Sequence, residues 1–240
     1  MKTTAILLFS SAFICLMYLT SCTNFHAIDG NHNVVTETRN IASFTELRSE
    51  GSYDVYLVHD SVFYAQVVAE ENLIPYIMTE ISGEELVIKT HDHRNLRNHS
   101  AMRIYIHAPY VNSITLEGSG KIDCDSISAN YFSIHLDGSG DILLSNATCN
   151  KIKTKISGSG KVELAGNANE TDFDISGSGD IYSQSLVQDT CFADISGSGS
   201  MYVNVNKFLD VHISGSGKVH YYGNPVVNTD ITGSGMVLHE

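Results

Sequence analysis

The stretch Ile152-Lys153-Thr154-Lys155-Ile156-Ser157-Gly158-Ser159-Gly160-Lys161-Val162 decides the fold of this 240-residue chain. Ile152, Thr154 and Ile156 alternate with Lys153, Lys155 and Ser157, and such period-2 alternation marks a strand with one buried face. A Gly-Ser-Gly triplet interrupts it, and Val162 anchors a second short strand. The phrase recurs with its first glycine at Gly118, Gly138, Gly158, Gly177, Gly197, Gly215 and Gly233, in steps of 20, 20, 19, 20, 18 and 18 residues. The second glycines are Gly120, Gly140, Gly160, Gly179, Gly199, Gly217 and Gly235. A fixed period in this range is the signature of a coil repeated along an axis.

The neighbouring repeats follow the same grammar. Ahead of the triplets stand Phe132-x-Ile134-x-Leu136, Thr171-x-Phe173-x-Ile175, Cys191-x-Ala193-x-Ile195, Leu209-x-Val211-x-Ile213 and Val227-x-Thr229-x-Ile231. After them come Ile122, Ile142, Val162, Ile181, Met201, Val219 and Val237. Two strands and a third side in one such period is too tight for a βαβ unit, which needs about 30 residues. The expected fold is all-β, a parallel β-solenoid with 18–20-residue rungs and an irregular N-terminal β cap. Each triplet is expected to turn a corner that requires positive φ or close backbone approach, tasks suited to glycine. A phosphate-binding loop is the competing reading, but no triplet is a Gly-x-Gly-x-x-Gly opening a helix.

Stacked rungs place equivalent side chains in ladders about 4.8 Å apart. The central serines, Ser119 to Ser234, should form a hydroxyl ladder. The next residues read Lys121, Asp141, Lys161, Asp180, Ser200, Lys218 and Met236. Their initial alternation of charge disfavours a slip by one rung, since like charges directly opposed repel.

Residues 1–21 read as a signal peptide: Lys2, then an apolar run from Ala5 to Leu19 broken only by Ser10 and Ser11. The run ends Leu19-Thr20-Ser21-Cys22, which resembles a bacterial lipobox whose cysteine carries the lipid; acyl chains would then anchor the protein. Residue 23 is Thr and no acidic run follows Cys22, so the expected location is the outer membrane, lipid-anchored, on either its periplasmic or its surface face. Residues 22–42 read as a polar tether and 43–240 as a single solenoid domain. Within it, 43–112 form irregular N-terminal coils and 113–240 the repeat coils. Gly51-Ser52-Tyr53-Asp54-Val55-Tyr56-Leu57 matches Gly138-Ser139-Gly140-Asp141-Ile142-Leu143-Leu144 as a degenerate corner. Glu71 to Thr79 could be helical but for Pro75.

The chain has 14 basic and 27 acidic residues. Losing 1–21 removes only Lys2, leaving 13 against 27, a net charge of −14. That balance excludes nucleic acid as a partner, because phosphate binding needs clustered Lys and Arg. Cys124, Cys149 and Cys191 sit at different offsets within their repeats, which argues against a structural disulfide. Cys191 falls on the inward face.

Chemistry is sparse. His91-Asp92-His93 with His99 is the one grouping of metal-ligand types, without a third ligand at a recognised spacing; no metal and no cofactor is expected. The outward column His135, Lys155, Asp174, Asp194, His212, Asp230 brings two acids together, but no arginine follows Arg103 to clamp a substrate carboxylate. No catalytic residue is assigned. Asp60-Ser61-Val62 and Asp125-Ser126-Ile127 match an Asp-Ser/Thr-aliphatic pattern of O-glycosylation, at Ser61 and Ser126.

The lipobox, the Gly51 corner, Glu71-Asn72-Leu73-Ile74-Pro75-Tyr76 and the Gly-Ser-Gly-[Lys/Asp]-[Ile/Val] ladder together resemble the putative auto-transporter adhesin, head GIN domain family of Bacteroidetes lipoproteins. The resemblance spans roughly residue 43 onward and implies a β-solenoid in the cell envelope. The expected function is a non-enzymatic, adhesin-like binding module for glycan or protein. A polysaccharide-active β-helix enzyme and a purely structural spacer are the alternatives. The last strand, Met236 to Glu240, has no following coil in the sequence, so self-association through the C-terminal rung is expected.

Overall fold

In-register parallel pairing is the direct consequence of the shared phrase. In a computed structural model, which describes residues 27–240, Gly118, Gly138, Gly158, Gly177, Gly197, Gly215 and Gly233 pair successively. The strands Ile127–Gly138, Asp141–Gly158, Lys161–Gly177, Asp180–Gly197 and Ser200–Gly215 each run from one corner almost to the next. Slack in the third side is taken up by register shifts, as between Leu144 and Ala147. The result is a parallel β-solenoid. Residues 1–21 and Cys22 lie outside the described residues.

The core is a set of apolar columns. Leu116, Leu136, Ile156, Ile175, Ile195 and Ile213 form one, and Ile122, Ile142, Val162, Ile181, Met201 and Val219 another; all are buried. Each such side chain contributes about 1.5–3 kcal/mol on full burial. Cys191 lies in a third column, between Thr171 and Leu209. Cys124, Cys149 and Cys191 are unlinked, buried thiols.

The two glycines of a corner do different work. Gly158 has φ +133°, and a Cβ there would lie 2.3 Å from the carbonyl oxygen of Gly138. Gly160 has ordinary φ, but its Cβ would sit 2.4 Å from Gly140 O and 2.6 Å from Leu136 Cδ2. Between them the N–H of Ser159 donates to Gly138 O at 2.9 Å. The expected hydroxyl ladder is mostly absent: among the described residues the corner serines bond through Oγ only at Ser52–Ser119, 3.3 Å. Their hydroxyls face water, which satisfies them at no conformational cost.

The charged column is longer than the repeats, because Asp54 pairs below Lys121 and Arg103 below Asp54. Its ion pairs run along the strand instead of up the column. Lys121 Nζ meets Asp123 at 2.8 Å and Lys161 Nζ meets Glu163 at 2.6 Å. Residues i and i+2 share a strand face, and a lysine stem reaches that neighbour readily.

Residues ahead of the repeats stack out of chain order. Glu46–Gly51 and Asp54–His59 form the rung beneath Ser113–Gly118 and Lys121–Cys124. Glu85–Thr90 and Arg103–Ala108, later in sequence, form the rung below that. Antiparallel strands then close the end. Tyr64–Glu70 pairs with Arg103–Ala108, Val34–Asn40 with Tyr64–Glu70, and Ile77–Ser82 with Glu85–Thr90. This is the irregular β cap, and it consists of hairpins as well as coils.

One reading needs correction here. Val34–Asn40 falls in the stretch 22–42 read as a tether, yet it is a strand. Tyr64–Glu70 would otherwise leave a bare edge, and Arg39 locks the pairing by donating to Ile77 O at 2.6 Å and Ile74 O at 3.2 Å. Within Glu71 to Thr79 only the single 3₁₀ turn Ile74–Tyr76 forms, with Pro75 in its first turn.

Tyr53 departs from the corner glycines for a visible reason. The rung beneath it has no Gly-Ser-Gly; residues 91–102 make an excursion instead. The Tyr53 ring fills the vacated space, 1% exposed, and its hydroxyl bonds Thr90 Oγ1. At the opposite end, no strand pairs on the outer edge of Val226–Gly233 or Met236–His239 among the described residues.

Candidate binding surface

The outward columns come first. His135, Lys155, Asp174, Asp194, His212 and Asp230 are successive partners. Burial, and then the neighbouring Asp174, Asp172 and Asp210 charges, push the Asp194 carboxyl up, while His212 works against that rise. His212 Nδ1 lies 3.6 Å from Asp194 Oδ1. These residues line a shallow concavity of about 230 Å³ with Ser196, Ser214, Asp230 and Thr232. It holds acids and an imidazole, but no Lys or Arg lines it.

Aromatic columns are the second feature. Tyr182 stacks on Tyr202 with centroids 5.0 Å apart and planes at 7°, and Tyr202 on His220 at 4.6 Å and 11°. Tyr56 and Tyr105 repeat this at 4.9 Å. Rings stacked face to face show solvent mainly their edges, so these columns stabilise the stack and offer little flat surface to a ligand. Tyr110 is different. It is 51% exposed, and among the described residues the one ring it meets is the edge-on Phe63, at 5.8 Å and 90°.

Tyr110 stands on a groove of about 350 Å³. The groove opens where the out-of-order base meets the repeats. Leu57 and His59 come from one base rung and Ala108 to Val111 from the strand that leads out of the other. The bends Ser126 to Ser128, Asn146 and Thr148 supply the far wall. No Asp, Glu, Lys or Arg lines it, in a chain of net charge −13. Its polar groups are hydroxyl, amide and imidazole, and its apolar lining is Leu57, Pro109, Val111, Ile127 and the half-exposed Tyr110 ring.

Both candidate glycosylation serines are exposed. Ser126 is on the groove wall. Ser61 is in the turn before Tyr64, where its N–H donates to Asp60 Oδ1 at 2.6 Å. Asp60 Oδ2 also receives His107 Nδ1 at 3.2 Å, and backbone donation from Ser61, outweighing partial burial, holds the carboxyl below its ordinary range. The histidine grouping read from sequence is divided: His91 Nδ1 meets Asp92 at 2.9 Å, whereas His99 lies with His32 and Glu70. The groove and this last cluster were invisible in the sequence, since their members are far apart along the chain and carry no motif.

The model of the family described as "Putative auto-transporter adhesin, head GIN domain" matches residues 43–225. Among solved structures, a putative adhesin from Bacteroides fragilis is similar with a TM-score of 0.85 at 21% identity, covering 89% of this chain and 100% of that one. A putative adhesin from Parabacteroides merdae gives 0.73 at 21%, covering 89% and 99%. A protein from Parabacteroides distasonis described as a putative lipid binding protein gives 0.76 at 26%, with the same coverage of 89% and 99%. Among curated proteins no match was found.

Proposed function

The chain belongs to the putative auto-transporter adhesin, head GIN domain family, and from that premise we propose a cell-envelope lipoprotein that acts without catalysis, as a binding module for a neutral glycan. Cys22 carries the lipid and fixes the protein to the outer membrane. Ser61 is a site for O-linked sugar, whereas Ser126 keeps its hydroxyl free as part of the groove.

One observation carries the reading: Tyr110, about half exposed, lines an uncharged groove whose polar side chains are His59, Ser126, Ser128, Asn146 and Thr148. Sugars bind through hydroxyl hydrogen bonds and apolar ring faces, and pockets achieve specificity with a few convergent polar groups. The self-stacked tyrosine columns do not compete for that role. The concavity at Asp194 and His212 lacks the cationic clamp that an enzyme acting on acidic polysaccharide would use, which favours binding over turnover.

A glycan array probed with the purified protein and with Tyr110→Ala tests the proposal. Wild type should retain a defined set of neutral glycans and the variant should lose them. Binding that is undiminished in Tyr110→Ala, or an array with no retained glycan, overturns it. Release of shortened sugars from a retained glycan would establish the enzymatic alternative.

A further inference from the structure

The parallel pairing of Ile28–Asp29 with Leu96–Arg97 brings two remote turns together beneath the cap. Between them stands Glu70, fully buried at the end of strand Tyr64–Glu70. Its Oε1 accepts the backbone N–H of His32 at 2.6 Å and its Oε2 that of His99 at 2.8 Å. Gly30 passes so close that a Cβ there would lie 2.2 Å from Oε2. The imidazoles of His32 and His99 stack above, centroids 4.1 Å apart and planes at 22°. Both rings are exposed, and the three residues offer ligand atoms all within 4.8 Å of one another.

We propose that His32, Glu70 and His99 form a binding site for a divalent transition metal of the zinc type. Two imidazoles and one carboxylate are a recurrent zinc ligand set that leaves a fourth position open. Imidazole suits this class, while calcium and magnesium call for oxygen ligands. Metal–ligand distances near 2.0–2.1 Å put the ligand atoms of a tetrahedral site about 3.3 Å apart. The exposed rings can close that gap by side-chain rotation, with the backbone held still.

Three features argue that the arrangement is built. The Glu70 carboxylate is fixed in place by backbone donors from both turns, His32 on one oxygen and His99 on the other. His32 is held at φ +62°, a conformation uncommon outside glycine and concentrated at functional positions. Its turn is pinned on both sides, by Asn31 N–H to Asn72 Oδ1 at 3.0 Å and by Asn33 Nδ2 to Glu71 Oε2 at 2.9 Å. Rigid support of this kind is what a metal site requires from its outer shell.

The test uses the purified protein stripped with a chelator and then titrated with Zn²⁺ by calorimetry and with Co²⁺ by visible absorption. One equivalent per chain should bind, raise the melting temperature and give the intense absorption of low-coordinate Co²⁺. His32→Ala and His99→Ala should each weaken binding by more than the roughly 10- to 100-fold that loss of an outer-shell partner costs. His91→Ala should bind as wild type does. His99→Gln, which keeps the bulk and the backbone bond to Glu70, guards against loss of fold in the alanine variants, with circular dichroism as the check. No uptake by wild type, or equal uptake by folded His32 and His99 variants, overturns the site.

Discussion

The carbonyl oxygen of Gly138 lies 2.3 Å from the place a Cβ on residue 158 would occupy, so each rung of the solenoid excludes side chains from the corner of the next. That contact makes the two residues of a corner unequal. Gly158→Val must displace backbone and adopt positive φ, a cost of about 2 kcal/mol or more. Ser159→Ala keeps the N–H bond to Gly138 and loses only an exposed hydroxyl, a change within about 0.5 kcal/mol. Urea unfolding of both variants should separate them clearly, and equal midpoints would contradict the stacked corner.

At residue 53 the consensus should be harmful. Tyr53→Gly restores the repeat triplet but empties a fully buried ring site beneath which no corner exists. The expected loss is about 3–5 kcal/mol. Tyr53→Phe removes only the bond to Thr90, worth about 1 kcal/mol. Thermal melts that rank the glycine variant as the milder one would show that the space below is not filled as described.

The buried thiols set a pH dependence. Burial pushes the Cys191 thiol up to about 12 from an ordinary value near 9, and Cys124 moves the same way. A raised pKa means the folded state keeps a proton that the unfolded state releases. The contribution is fully present below pH 9 and is lost as pH rises from there toward 12. Unfolding midpoints should fall over that window more steeply in wild type than in Cys191→Ala. A thiol reagent at pH 8 should label Cys124 and Cys191 only at the rate of unfolding.

Anchoring is tested at Cys22. Cys22→Ser should leave the protein unprocessed or soluble, without lipid. A mature-sized lipoprotein in the membrane fraction of the variant would refute the lipobox.

The uncovered final rung should associate with a second copy. Ile231 belongs to the inward face, yet it is 37% exposed, and among the described residues no strand pairs on the outer edge of its own. Such an edge is a template for pairing. Light scattering should give a mass above that of the monomer, and Ile231→Lys should reduce it. A wild type that stays monomeric at high concentration refutes the contact.

The sequence by itself determined the repeat. Gly-Ser-Gly at a steady period, with alternating apolar residues on both sides, specifies which corner-flanking residues stack on which from 113 to 240, because a one-residue slip would turn every core side chain outward. It also determined that Gly51 begins a corner. What only the tertiary structure decided is the order of the base, where 85–108 stack below 46–59, and the antiparallel closure by 34–40 and 64–70. Those pairings are a competition among distant edges for hydrogen-bond partners and apolar cover, and no local period records its outcome. The groove at Tyr110 and the cluster of His32, Glu70 and His99 are products of that competition. Their residues became neighbours only because the base folded back beneath the first rung of the repeat.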